Sequence, residues 1–227
     1  MIVNEPIKNV VAGRTRASSA DTRRKVLDAA IEVFAAKGYS GASVNELLAA
    51  TGLSKPTLYY YFGSKEGLFR AILDFAYDES HRLMTARAGE ANSPEESMVA
   101  AVQGMFAFAE NFSSLTRLVL GTVFAAKGEV PDASIDLERR KRNLAVFSDV
   151  IRSGLSAGLL DSKYDPDDLT NALLGATAHA VRTRLSGRGS GGSGGADHAP
   201  LPLDAARARR IVGMFLDGAR GCRRDSK

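Results

Sequence analysis

The chain has 227 residues, of which 44% are hydrophobic and 25% charged. That balance excludes a wholly disordered chain and suits one domain, or a small domain joined to a larger one. A single cysteine, Cys222, excludes an intrachain disulfide and Cys-rich metal sites, and no apolar run approaches the ~18–20 residues that cross a bilayer.

The formal net charge of +4 is unevenly placed. Residues 1–70 carry 10 basic and 6 acidic side chains, and the remainder carries 20 of each. All of the excess positive charge therefore lies in the first third, as expected for a polyanion partner such as nucleic acid. Met1 to Ala20 holds no apolar core of signal-peptide length, so a cytoplasmic location is the expectation.

Residues 1–19 are mixed and polar, with Lys8, Arg14 and Arg16 against Glu5, and read as a flexible basic tail. Such a tail either reaches a minor groove or has little role. From Asp21, Val26, Leu27, Ala30, Ile31, Val33 and Phe34 recur at spacings of three and four, the apolar stripe of an amphipathic helix that Gly38 ends. Ser43-Val44-Asn45-Glu46 is a capping box opening a short helix to about Thr51, with Val44, Leu47 and Leu48 inward. Gly52 turns the chain, and Ser54 caps a second short helix to Phe62 with Pro56 in its first turn. Gly63 stops it, and Ser64 caps a long fourth helix that fades near Ala88-Gly89.

Ser93-Pro94-Glu95-Glu96 is a strong start signal, with a cap, a first-turn proline and acids at the positive end of the helix dipole. Further helices are predicted over about Ser114–Ala126, from Val130-Pro131 to Ala157, from Asp165 to Leu185, and from about Leu203 to Ala219. The stretch 187–200 is Gly/Ser-rich and reads as a flexible loop. No segment reads as a strand, so the expected fold is all-α with about nine helices.

Ser43 to Phe62 has helix-turn-helix spacing, in which the first helix crosses a DNA backbone and the second lies in the major groove. Lys55 can donate to guanine O6 and N7, while the Thr57 methyl and the Pro56 ring can touch a thymine methyl. Tyrosine hydroxyls can donate to phosphate. Tyr59, Tyr60 and Tyr61 span almost the whole helix circumference, so they cannot all be core. The bland alternative is an αα-hairpin with an aromatic packing helix.

The ordered run Ala30–Tyr39, Ser43-Val44, Gly52-Leu53-Ser54, Thr57–Phe62 and Ser64–Leu68 closely resembles the TetR family of bacterial repressors over about residues 20–70. Gly158-Leu159-Leu160 followed by Asp165-Pro166-Asp167 is a weaker similarity to the family's C-terminal domains. Two departures stand out: Thr51 replaces the usual small alanine, and Pro56 replaces a common glycine and stiffens the entry to the recognition helix.

The resemblance implies a homodimer that places two recognition helices in successive major grooves of a palindromic operator. It also implies release, as a repressor, by a small and largely apolar ligand. By position, Lys55, Pro56, Thr57 and Tyr59 become base-facing groups, and Ser43, Ser54, Tyr60 and Lys65 become phosphate contacts. Asn45 is a further candidate. Ser43 and Ser54 are also plain helix caps, and the two roles are compatible because a helix N-terminus binds phosphate. For Lys65 the alternative is a solvated lysine. The domains implied are a helix-turn-helix domain over 20–66, a ligand-binding and dimerisation domain over 67–221, and a C-terminal tail over 222–227.

In that second domain Met98, Val102, Met105, Phe106, Leu118, Phe124, Phe147 and Ile151 are candidate pocket residues, with Arg117 and His179 as polar anchors. Plain core packing is the competing reading. Leu169, Ala172, Leu173, Ala176, Ala180, Ile211, Val212 and Phe215 are candidates for a dimer seam. Gly104, Gly121 and Gly175 lie inside predicted helices, where each costs about 1 kcal/mol relative to alanine, and imply close helix approach or room for a ligand.

Enzymatic motifs fail their context. Gly154-Leu155-Ser156-Ala157-Gly158 matches a nucleophile elbow but ends a helix instead of joining strand to helix. The Gly-rich match at 187–192 follows a helix, not the strand that a dinucleotide site requires. No enzyme activity, cofactor or metal is expected. Arginines 220, 223 and 224 around Cys222 would favour its thiolate, the basis for a weak redox reading. A nonspecific nucleoid or adaptor protein that kept the head and lost the sensor, and a hydrolase using Ser156, are the rival functions.

Overall fold

A computed structural model describes residues 19–89, 91–123, 125–126, 128–132, 136–187 and 201–219. Among them are nine α-helices and no β-strand. The basic tail, most of the Gly/Ser-rich loop, Phe124 and Cys222 lie outside the described residues.

Each of the first four helices is bounded by a local signal. α1 (Ser19–Gly41) turns Val26, Leu27, Ala30, Ile31 and Phe34 inward, and its regular geometry breaks at Gly38, whose φ of 68° and ψ of 176° favour a residue without Cβ. α2 (Val44–Thr51) opens on a reciprocal cap. The Glu46 amide donates to Ser43 Oγ at 3.2 Å, and Glu46 Oε2 accepts from the Ser43 amide at 2.9 Å. Gly52, left-handed at φ 69°, closes the helix. α3 (Lys55–Phe62) is capped by Ser54, whose Oγ accepts from the Thr57 amide at 3.3 Å. Ser64 caps α4 (Lys65–Ala88) through the Gly67 amide at 2.9 Å.

Five helices follow: α5 (Pro94–Asn111), α6 (Ser113–Val123), α7 (Leu137–Ser156), α8 (Pro166–Leu185) and α9 (Ala205–Ala219). α7 begins later than its proline suggested. Asp136 accepts from the Glu138 and Arg139 amides at 3.0 and 3.1 Å, and this cap sets the start. Val130 instead packs against the head. α6 stops at Val123, short of Ala126, and α9 starts at Ala205, where Asp204 accepts from the Arg207 amide at 2.7 Å.

Two apolar cores share α4. The head core joins α1, α2 and α3 to Leu68, Phe69, Ile72 and Leu73 of α4, and is completed by Phe108, Leu115 and Leu118 from α5 and α6. The body core begins at Met84 near the other end of α4 and collects α5, α7, α8 and α9. Between these cores α4 is clasped to α7. Arg139 reaches Asp74 at 3.5 Å and also pairs with Asp78 and Asp136, Arg142 reaches Asp78 at 2.5 Å, and the Asn143 amide donates to the Tyr77 carbonyl at 3.0 Å.

Gly104 of α5 stands where a Cβ would come within 2.4 Å of Met84 Cα, so the α4–α5 crossing depends on its missing side chain. Gly121 and Gly175 face open space instead.

Candidate nucleic-acid interface

α3 is anchored by one face and free on the other. Leu58 is fully buried and Phe62 half-buried against the head core. Burying a leucine contributes about 1.5–3 kcal/mol, enough to fix which side of this two-turn helix looks outward. The outward side carries Lys55, Pro56, Tyr59, Tyr60 and Tyr61, all exposed. Tyr60 is 84% exposed against 41% for Tyr59 and 49% for Tyr61, so it projects furthest. An exposure of this degree on an aromatic ring leaves both its face and its hydroxyl available to a partner.

The N-terminus of α3 gathers the polar groups expected to meet phosphate. Ser54 is exposed, and its hydroxyl lies 2.7 Å from that of the half-buried Thr57. Lys55 at the first helical position makes no ion pair among the described residues. The helix dipole adds positive character at the same end.

On the neighbouring helix Asn45 is exposed, and so is Ser43, which is occupied as the α2 cap. Glu46, across the cap, also pairs with Lys37 of α1. Hydrogen bonds from Lys37 and then from the Ser43 amide and hydroxyl hold the Glu46 carboxyl down to about 2.

Lys65 differs from a freely solvated lysine. It is half-buried, with Nζ 4.3 Å from the centre of the Tyr39 ring, and burial lowers its pKa. A cation over an aromatic face is held in place while its remaining N–H groups still point to solvent.

Two groups beside this surface were not among the candidates. Tyr61 packs edge-on against Tyr60 at 5.3 Å between centroids and limits how Tyr60 can turn. Arg23 sits 5.5 Å from the centre of the Phe62 ring, next to the end of α3. The run Arg23-Arg24-Lys25 was the available signal for it.

Most of the candidate pocket residues are brought together in one packed core. Met98, Val102, Phe106, Phe147 and Ile151 are buried in the body core, and Met105 packs against it. The α5 and α7 stripes close directly on each other. A Cβ on Gly154 would come within 2.6 Å of the Met98 terminal methyl. Leu118 belongs to the head core instead. His179 is exposed on α8, with Nδ1 3.1 Å from Arg182, and Arg117 is exposed on α6. An open cavity of about 360 Å³ does exist, but at the seam between α1 and α6, and Arg117 and Leu118 line it.

The candidate seam residues also divide. Leu169, Leu173, Ala180, Ile211 and Val212 are buried within the protomer, and Phe215 is half-buried against the same core. Ala172 and Ala176 are exposed beside Gly175, and Met214 on α9 is 69% exposed. Ser156 is exposed at the end of α7 and makes no hydrogen bond to a histidine among the described residues. Among those residues no group of three or more His, Cys, Asp or Glu could hold a metal, and no helix is long and apolar enough to cross a membrane.

Comparison with known proteins finds similar chains. Residues 26–72 match the family model described as bacterial regulatory proteins, tetR family. The chain is 31% identical over 138 residues to the HTH-type transcriptional activator FasR of Mycolicibacterium smegmatis. That match covers 60% of this chain and 63% of FasR, under two thirds of the relative's own length. The fold is shared with the transcriptional regulator FadR of Bacillus subtilis, solved in complex with stearoyl-CoA (TM-score 0.71, 18% identity, 87% of this chain and 99% of that one). It is shared too with AibR, solved in complex with isovaleryl coenzyme A and operator DNA (TM-score 0.65, 20% identity, 85% and 97%).

Proposed function

We propose, from the premise that this chain belongs to the TetR family of bacterial regulatory proteins, that it is a dimeric repressor released from a palindromic operator by a small, largely apolar effector. The observation that carries the reading is the free face of α3, with Lys55, Pro56, Tyr59 and Tyr60 exposed around a helix whose opposite side is locked by Leu58. Lys55 and the Thr57 methyl read base edges, and Tyr60, Lys65 and the capped helix N-termini hold phosphate.

Dimerisation rests on the exposed small-residue face of α8 at Ala172, Gly175 and Ala176, beside Met214 of α9. Two copies of such a face approach closely across a two-fold axis and put two recognition helices about 34–36 Å apart, one turn of B-DNA. The acyl-CoA ligands of FadR and AibR support an effector with an apolar body. Release follows from differential affinity, because an effector that prefers a conformer with displaced heads draws the population away from DNA.

Footprinting on DNA upstream of the chain's own gene tests the reading. A single protected palindrome is expected, and Lys55→Ala and Tyr59→Ala should each weaken it by about tenfold or more. Unchanged affinity in both variants would remove α3 as the reading helix. Protection without sequence preference would favour the nonspecific reading. The activator FasR among the relatives makes activation the second reading. A promoter–reporter fusion separates the two, since deleting a repressor raises expression and deleting an activator lowers it.

A further inference from the structure

The electrically neutral body conceals a charge gradient along α8 and α9. Just ahead of α8, the Asp161 amide donates to the Ala219 carbonyl at the end of α9, at 3.0 Å. The two packed helices therefore run antiparallel, and the end of α8 meets the start of α9. That meeting point is on the head side of the body. Arg184 Nε donates to Glu110 at 3.1 Å, and Glu110 lies between Phe108 and Phe112, which pack in the head core.

This end is basic. Residues 179–187 and 201–210 carry five arginines against one acid, Asp204. At the opposite end, residues 161–168 carry four aspartates and one lysine. For α8 the gradient has a plain cause, because acids at the start of a helix and bases at its end complement the helix dipole. α9 runs against its dipole. Arg207 stands in its first turn, and Arg209 and Arg210 follow in the next. Cations are unfavourable there unless an anion meets them.

The two acids at this end are already engaged. Asp204 accepts from the Arg207 amide at 2.7 Å as the α9 cap, and Glu110 is paired with Arg184. Arg207 is half-buried and donates to the Leu201 carbonyl at 2.6 Å. Burial and then the neighbouring Arg210 lower its pKa. Arg182, Arg209 and Arg210 are exposed and make no ion pair among the described residues.

We infer that the head-side end of the α8–α9 pair is a second DNA-contacting surface, which lays Arg182, Arg209 and Arg210 of each protomer against the phosphates at the centre of the operator. The inference rests on the operator and dimer readings above and adds a contact outside the heads. The two-fold axis that relates two heads passes through the middle of a palindrome. With the seam on α8 and α9, the head-side end of that pair is the part of the body nearest the axis and facing the DNA. Charge complementarity favours the duplex over a second protomer as the occupant, because the two-fold axis brings arginines toward arginines. A guanidinium offers phosphate two parallel N–H donors. Such contacts add affinity without reading sequence.

The palindrome found by footprinting is titrated with the full chain over a salt series, beside the variant carrying Arg182→Gln, Arg209→Gln and Arg210→Gln. The variant should bind about tenfold or more weakly near 150 mM salt, and its plot of log affinity against log salt should flatten by about two units or more. Its preference for the palindrome over DNA with scrambled half-sites should stay as in the parent. Uncharged methylphosphonate linkages at the operator centre should weaken the parent and leave the variant unaffected. An unchanged slope, or a loss of affinity that the neutral linkages do not reproduce, overturns the inference and leaves the α3 reading standing. Sedimentation without DNA gives the alternative occupant. A variant that dissociates where the parent is dimeric assigns the arginines to the second protomer and overturns the DNA contact. Absence of any protected palindrome removes the regulator reading and this contact together.

Discussion

Glu46 serves two neighbours at the entry to α2, capping the helix at Ser43 and receiving Lys37 from α1. Because both partners favour the carboxylate, its folded pKa falls to about 2 from an ordinary 4.5. The stability it contributes is therefore complete above the ordinary value and is lost as pH falls toward 2. The melting temperature of Glu46→Gln should lie below that of the parent at pH 7, and the gap should close between pH 4.5 and 2. A gap independent of pH would mean that the side chain acts by shape alone.

Caps of this kind were legible at Ser43, Ser54, Ser64, Ser93 and Asp165 because a cap is a contact between near neighbours in the chain. The seat of Lys65 on Tyr39 was not legible, since it joins residues 26 positions apart.

Between helices, the three interior glycines separate into two kinds that sequence alone left together. Gly104 marks a close crossing of α5 over the backbone of α4, where no flexible side chain can yield. Gly104→Ala should cost about 1–3 kcal/mol in a denaturant titration despite its better helix propensity. Gly175 meets nothing in its own protomer. Gly175→Leu should leave the protomer folded and shift sedimentation from dimer toward monomer, whereas an unchanged dimer would take the seam off this face of α8.

The same limit explains the pocket residues. Periodicity shows that Met98, Phe106 and Phe147 face inward, but only the tertiary arrangement decides whether facing stripes meet or leave a gap. Here they meet. Pro131 misled for a related reason. A proline after Val130 resembles a helix start, yet the Asp136 carboxylate, with two amides to satisfy, is the stronger signal.

At the scale of the whole molecule, the charge excess and the exposed tyrosines of α3, Tyr59, Tyr60 and Tyr61, lie in the same part of the chain, the first 70 residues. Binding to DNA should therefore weaken steeply as salt rises, through release of condensed counterions. In a plot of log affinity against log salt, Lys65→Ala should flatten the slope by roughly one unit if its ammonium meets a phosphate. An unchanged slope would leave Lys65 as a cation that only packs on Tyr39. The all-helical architecture and the position of the helix-turn-helix segment were legible because both are written in local periodicity and caps. How the two cores divide the chain was not, because Phe108, Leu115 and Leu118 complete the head from far along the sequence.

That shared construction bears on how such proteins can be recombined. α4 is a beam common to both cores, and the head is closed by three side chains from α5 and α6. A graft of residues 19–64 alone onto a foreign sensor would arrive with an open floor, and its fit would depend on whether the host offers a matching lid. A transferable unit has to include the beam and the underside it rests on, so exchange between relatives is a matter of matching seams and not of joining beads on a string.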